Sequence, residues 1–576
     1  MAVFAPFSLA PSAHAQSAPP VPPQAVQQGI PTREQVTPPA PVGLPPATAT
    51  VDSRSALAPA TCPFEASALT LALARVRFQR PGGGALQPAL ARTLAGIGAP
   101  GGVQPIRVVC ELRDAANAAL RRDGWVASVQ IPPQSIAAGE LLLTVVSARI
   151  TEVRVRGAPG PYRRALTGRI ARLKALDPLN ERDAERALLL AGDVPGLEVQ
   201  LSLRPAGTEP GDVIGDLNVV YRPFAISANV ENYNSRALGR ETGYLRAEVY
   251  GLTGLSDLTY LGLSSTAQTR EQRIVQAGHI LGLDANGTTL GGRFTYAWSR
   301  PDLGALDLRT DTLIWGLDLL RPIVRSVGGN LRAGLGFDYV DQDTRVAANG
   351  TLARLNLDKL RVLFGQVTGD LSGRRADGTA GYSVRGSLEL RRGLGVFGAT
   401  PARYVPGAIL PSRINGDSRA TVIRASLDVT TRASRVFSFA GTMLGQWSNR
   451  PLLNYEEFSL GNLTIGRGYD PGANTGDRAV GARAEGRADL PALHTAAPQL
   501  FGFFDAVALT NLDANSTEVD RHLRSFGGGL RITVANLLQA EATYAHPLDR
   551  ALTIDKGPPP DRVLLSLITQ LRGRAR

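Results

Sequence analysis

Lysine is almost missing. Only Lys174, Lys359 and Lys556 occur among the 62 basic residues of this 576-residue chain, so arginine carries nearly all the positive charge. A net charge of +12 would suit a nucleic-acid binder if it were gathered on one face or segment. Here the arginines run the whole length, often alternating with apolar residues, which argues against nucleic acid as a partner. Cysteine is scarce as well. Cys62 and Cys110 stand too far apart for a CxxC redox or zinc motif. They are candidates for one disulfide in an oxidising compartment, with two buried free thiols as the other reading. Five histidines are scattered without HExxH or HxH spacing, so no metal centre is expected. No Gly-x-Ser-x-Gly nucleophile motif is found. "GIGAPG" (Gly96 to Gly101) matches a dinucleotide fingerprint by letter, but it contains Pro100 and opens no helix, which makes it a loop. No enzyme and no cofactor are expected. No apolar run reaches 18 residues, so a transmembrane helix is not expected, while a membrane barrel stays open.

What is present changes texture along the chain. The first residues end in Ala13-His14-Ala15 after an apolar stretch, which fits a signal peptide over 1–15 without the usual positive start. Residues 16–60 are rich in Pro, Gln and Ala and read as an extended linker. Within it, "PPQAVQQGIPTREQV" is a short stretch broken by Pro, a weak basis for a plug helix. Residues 61–149 form a first small α/β unit. Leu112, Ala116 and Leu120 recur at helical spacing, Gly124 follows as a stop, and "ELLLTVVSARI" is an apolar strand. Residues 150–206 repeat that logic, with two helices broken at Asp177-Pro178 and a closing strand "LEVQLSLRP".

From 212 to 576 period-two alternation takes over. Leu245, Ala247 and Val249 face one way and Tyr244, Arg246 and Glu248 the other. Leu335, Phe337 and Tyr339 oppose Gly336 and Asp338; Val480, Ala482 and Ala484 oppose Arg483, Glu485 and Arg487. Full charges in mid-strand on the second face fit a barrel with lipid outside and water inside. In lipid an antiparallel sheet must close so that every backbone group is paired. Roughly 360 residues at about 20 to 25 per strand and loop give about 16 strands. The fold class is therefore mostly β: a C-terminal transmembrane antiparallel barrel preceded by two small α/β domains.

One segment, "LGNLTIGRGYDPGANTGDR" (Leu460 to Arg478), has neither strand nor helix period. With its flanks, Glu456 to Pro491, it resembles the sixth extracellular loop and following strand of the two-partner secretion transporters (TpsB proteins of the FhaC, ShlB and HecB type). The POTRA-like order of the whole chain is similar too. The resemblance implies an outer-membrane translocator that captures an unfolded exoprotein, of the adhesin or haemolysin type, in the periplasm through POTRA domains. It would pass this client through the barrel as a monomer embedded in lipid. The alternative is a barrel-assembly factor, which usually carries more such units than the two seen here.

The family loop carries V/I-R-G-Y/F, matched by Gly466, Arg467, Gly468 and Tyr469, with Gly in the aliphatic place. By that resemblance the loop folds into the lumen and its Arg meets an acidic residue in an F-x-D-x-G motif, matched here by Phe503 and Asp505 with Val507 in place of the last Gly. Arg suits this task because it holds its charge and can grip a carboxylate through two parallel hydrogen bonds.

Overall fold

The computed structural model describes residues 29–37, 51–52, 57, 61–136, 139–304, 306–348, 351–375, 379–535 and 537–574. The expected signal segment 1–15 lies outside them, as does most of the 16–60 linker.

The first unit holds β1 (Thr70–Ala72), β2 (Arg75–Gln79), α1 (Pro88–Leu94), β3 (Val103–Pro105), α2 (Val108–Arg122), β4 (Ala127–Gln130) and β5 (Glu140–Ser147). β5 sits between β2, which is parallel to it, and β4, which is antiparallel. The apolar stripe of α2 (Val109, Ala116, Leu120) packs on Leu141, Leu143 and Val145 of β5, the face that the helical spacing announced. Cys62 and Cys110 are joined as a disulfide that ties the start of the unit to α2.

The second unit holds β6 (Arg149–Gly157), α3 (Arg163–Lys174), α4 (Glu181–Gly192), β7 (Leu197–Pro205) and β8 (Asp212–Tyr221). β8 lies between antiparallel β7 and parallel β6, and Val51–Asp52 adds a short parallel strand beside β7. This corrects the expected boundary: residues 212–221 belong to the second unit and not to the barrel. Alternation along β8 is the same in either sheet, so only the pairing partner decides its membership.

Sixteen strands then close into one antiparallel barrel. In chain order they are β9 (Phe224–Glu231), β10 (Thr242–Tyr250), β11 (Leu258–Thr266), β12 (Gln272–Gly282), β13 (Thr289–Ser299), β14 (Leu306–Arg325), β15 (Gly329–Ala348), β16 (Thr351–Arg374), β17 (Ala380–Gly393), β18 (Thr421–Arg432), β19 (Phe437–Ser448), β20 (Arg478–Asp489), β21 (Ala496–Thr510), β22 (Asp520–Val534), β23 (Leu538–Pro547) and β24 (Arg562–Arg572). The ring closes where β24 pairs with β9, from Ala225 opposite Arg572 to Glu231 opposite Ser566, so no edge is left. Leu245, Val249, Leu335, Leu388 and Leu390 are exposed on the outer face, while Glu248, Asp338 and Arg391 are buried within. Such a greasy exterior and charged interior are what a bilayer demands of a spanning sheet.

The second unit is seated on the near rim of the barrel. Arg325, at the end of β14, grips Asp193 through two hydrogen bonds of 2.8 and 2.7 Å. The Tyr221 hydroxyl donates to the Tyr250 carbonyl at 2.7 Å, and Ala225 and Tyr250 join the core of the second unit. That unit therefore marks one end of the barrel, the end that the resemblance drawn from the sequence places in the periplasm, with the turns of the opposite end extracellular.

Candidate functional site

The long loop between β19 and β20 turns inward. Its stem is a two-residue ladder, Phe458–Ser459 against Thr475–Gly476. Its tip carries Leu460, Ile465 and Tyr469, all fully buried against Val507 and Leu509 of β21 and Leu523 of β22. An aperiodic segment has no internal ladder to satisfy its backbone, so its N–H groups need partners on the wall. They find Asp505. Its Oδ2 accepts from the Gly466 N–H at 3.0 Å and from the Arg467 N–H at 2.8 Å. The Gly468 N–H donates to Ser525 Oγ at 3.3 Å.

Two of the glycines are needed at their positions. Gly466 has φ +111, a conformation that side-chain-bearing residues rarely adopt. A Cβ on Gly468 would stand 2.8 Å from Ser525 Cβ and 2.9 Å from Pro547 N, so only glycine lets the backbone come this close. The Tyr469 hydroxyl lies 2.8 Å from the Arg524 carbonyl and accepts from the Asp549 N–H at 3.1 Å, fixing the tip to the turn after β23. Arg562 of β24 reaches Asp470 at 3.0 Å from the other side.

The side chain of Arg467 does not take the expected partner. Its Nη1 lies 2.8 Å from Glu485 Oε2 on β20, and its guanidinium lies over the Phe503 ring, 4.4 Å from the centroid. The cause is the strand register. Arg483 stands directly opposite Asp505 and holds it with two hydrogen bonds, Nε to Oδ1 at 2.8 Å and Nη2 to Oδ2 at 3.0 Å. Phe503 stands opposite Glu485. An Arg467 that lies over Phe503 therefore meets Glu485, while Asp505 serves the loop backbone. Glu485 also accepts from Arg487 Nε at 2.7 Å. Phe503 and Asp505 are thus both at the site, in roles different from those the motif implies.

A second grip holds the base of the loop. Glu456, buried in the lumen, pairs with Arg391 of β17 at 2.9 Å and with Arg424 of β18. At the extracellular mouth, Arg413 bridges Glu457 at 2.7 Å and Asp477 at 2.6 Å. Sequence reasoning missed these residues. Their mid-strand or mid-loop charges were visible, but not which loop they would meet.

Residues 29–37, expected within the linker, also lie in the lumen. A single helical turn, Arg33–Val36, is capped by Thr32, whose N–H donates to Gln35 Oε1 at 2.9 Å. Gln35 Nε2 donates to Asn234 Oδ1 at 2.9 Å, Gln342 Nε2 donates to the Pro31 carbonyl at 3.1 Å, and Val36 packs beside Leu453 and Tyr455 of the loop. Loop and N-terminal segment thus lie together inside the ring of strands. Among the described residues no group of three His, Cys, Asp or Glu side chains is arranged to hold a metal ion.

The geometry has counterparts among known proteins. Residues 364–532 match the family model of haemolysin secretion/activation protein ShlB/FhaC/HecB. The chain is 22% identical to the outer membrane transporter CdiB-2 of Burkholderia pseudomallei, over 62% of this chain and 59% of that protein. It is 23% identical to the heme/hemopexin transporter protein HuxB of Haemophilus influenzae, over 74% of each. The solved structure of CdiB from Escherichia coli superposes with a TM-score of 0.70 at 17% identity, covering 90% of this chain and 94% of the other, which is a likeness of fold.

Proposed function

Because the chain belongs to the ShlB/FhaC/HecB family of two-partner secretion transporters of the outer membrane, we propose that it exports a large exoprotein, of the adhesin or haemolysin class, through its own barrel. The two α/β units act as POTRA domains on the periplasmic side. Among the described residues each leaves a strand with no partner strand on one side, β2 in the first and β6 in the second. An unfolded client adds a strand to such an edge and gains main-chain hydrogen bonds with little demand on its sequence. The loop tip and residues 29–37 then leave the lumen, the client threads through, and folding outside draws it onward. No covalent step is required, and the transporter acts as a monomer.

The observation that carries this reading is the loop tip seated on Asp505 and Glu485 inside a closed ring. The arrangement is a gate: polar, confined, and held by contacts that can be exchanged for water. The barrel-assembly alternative is not favoured: two α/β units precede the barrel where such factors usually carry more, and the matched family model and relatives are of secretion transporters.

The test compares culture medium from cells with and without this chain, and with Arg467→Ala. Export of one large protein should depend on the chain. The Arg467→Ala barrel should still insert, as judged by its heat-sensitive migration in detergent gels, while export fails because a loop that no longer seats cannot couple arrival of the client to opening. Undiminished export by that variant would remove the loop from the mechanism.

A further inference from the structure

The loop between β17 and β18, residues 394–420, begins with a turn that lies over the outer wall of the barrel. The Leu394 N–H donates to the Arg361 carbonyl at 2.7 Å and the Thr400 N–H to the Lys359 carbonyl at 3.0 Å, so both ends of the turn are fixed along β16. At the tip the Ala399 N–H donates to the Val396 carbonyl at 3.1 Å. Phe397 lies between them, and its ring meets the Phe337 ring edge-on with centroids 6.2 Å apart. Phe337 stands opposite Leu317 and Leu363 across β14, β15 and β16. Leu317, Leu335 and Leu363 are exposed on the lipid-facing side of the wall. One step toward the extracellular end, Trp315 and Tyr339 are stacked at 5.1 Å and form the kind of aromatic layer that borders a bilayer.

Two features of this turn are costly in water. The first is its backbone. Phe397 has φ +50 and Gly398 has φ +69. Consecutive residues in this region are ordinarily Gly, Asn or Asp, and a bulky side chain there is an outlier. The second is exposure, since Phe397 is 73% and Val396 41% exposed on the protein alone. A single exposed apolar side chain on a wetted surface needs no explanation. A phenylalanine on a strained backbone beside the lipid-facing row does, because glycine would make the same turn without strain. Beneath the turn lies Arg361, which is fully buried. Its guanidinium lies 3.3 Å over the Tyr339 ring, its Nη1 is 2.8 Å from Asp341 Oδ1, and its Nε donates to the Phe397 carbonyl at 3.3 Å. The turn thus also covers a charge that would otherwise stand at the edge of the hydrocarbon, where an uncovered charge is costly.

We infer that the Val396–Phe397 tip inserts into the outer leaflet of the membrane and anchors the start of this loop there. Its partner is the upper acyl-chain region of the lipid beside β15 and β16, not a headgroup. The tip, Gly395 to Gly398, carries no charge, and its wall neighbour Phe337 lies on the bilayer side of the Trp315–Tyr339 layer. Phe397 extends outward the apolar surface formed by Leu335 and Leu363, so lipid that covers that surface covers the ring as well. Transfer of the ring from water into hydrocarbon offsets the strain of the turn. The contact lies outside the ring of strands, away from the lumenal loop.

Cys62 and Cys110 are joined to each other, so Val396→Cys adds a single reactive thiol, which takes a nitroxide label. The full-length labelled protein is reconstituted in phosphatidylcholine vesicles. Electron paramagnetic resonance then measures collisions of the label with oxygen, which concentrates in hydrocarbon, and with a water-soluble nickel chelate. Labels at Leu335→Cys on the outward face and at Lys556→Cys in the exposed turn after β23 give the lipid and water references. The label at position 396 should match the Leu335 reference. Phe397→Ser keeps the strained backbone and removes the ring, so it should move that label to the water reference. In the unlabelled protein Phe397→Ser should quicken amide exchange over residues 394–400 by roughly tenfold to a hundredfold, which is what burial of a phenylalanine side chain contributes. Phe397→Trp should keep the lipid pattern. Heat-sensitive gel migration verifies that each barrel is folded. A water-like label beside an intact Phe397, unchanged label and exchange in Phe397→Ser, or dipolar broadening between labels, which would put a second copy of the chain at this surface, would each overturn the inference.

Discussion

Which carboxylate holds Arg467 can be measured. At 2.8 Å and an effective dielectric of about 20, the gross attraction between Arg467 and Glu485 is about 6 kcal/mol. Removing one partner of a buried pair costs roughly 3–5 kcal/mol. The two ends are not equivalent here. In Arg467→Ala, Glu485 still has Arg487 at 2.7 Å, so the cost should fall near the lower figure. In Glu485→Gln, Arg467 stays buried in the seated loop with no charged partner, so the cost should approach the upper one. Either change shifts the balance between seated and released loop by about a hundredfold to a few thousandfold. The assay is the open fraction of single channels in planar bilayers, supported by protease accessibility of the loop. A double-mutant cycle then decides the pairing. Arg467→Ala with Glu485→Gln should show a coupling of roughly 1–3 kcal/mol, because residues in contact are non-additive. Arg467→Ala with Asp505→Asn should show a smaller one, because Asp505 serves Arg483 and the loop backbone. A larger coupling with Asp505 than with Glu485 would refute the register argument.

Three other outcomes are expected. Gly468→Ala should open the channel as strongly as Arg467→Ala, since its Cβ meets backbone at 2.9 Å, whereas Gly445→Ala, with nothing within 4 Å, should be silent in the same conductance assay. Cys62→Ser with Cys110→Ser opens a loop of 48 residues and should destabilise the first α/β unit by about 4 kcal/mol, seen as faster amide exchange in α2 while the barrel keeps its heat-sensitive migration. The Arg204 hydrogen bond, supported by Arg156, holds the Asp216 carboxyl below its usual range. A depressed folded value means that its stabilisation is complete above the ordinary carboxylate pKa of about 4 and is lost as pH falls through the folded value. Amide exchange in β8 should therefore quicken in acid, and Asp216→Asn should flatten that dependence.

Much of this protein was written in its sequence. Period-two alternation with charges on the second face has one solution in a bilayer, a closed sheet, because no water is there to pair an open edge. Leu245 outward and Glu248 inward follow from that alone. So does the helix α2, whose apolar stripe needs a sheet to cover it. The glycines around Arg467 likewise announced a backbone that turns sharply near a wall. What the sequence could not carry is information held between strands. Alternation assigns a residue to a face but not to a neighbour, so β8 read as barrel although it pairs with β6 and β7. For the same reason Asp505 and Glu485 were equivalent lumenal carboxylates until the register put Arg483 opposite one and Phe503 opposite the other. The seat of Phe397 beside Phe337 is likewise invisible in one dimension, since the two rings meet only when the turn after β17 folds back over β15 and β16. Local chemistry decided which groups face lipid and which face water. Only closure of the ring decided which charges touch, because an ion pair depends on ångström distances that no linear spacing encodes.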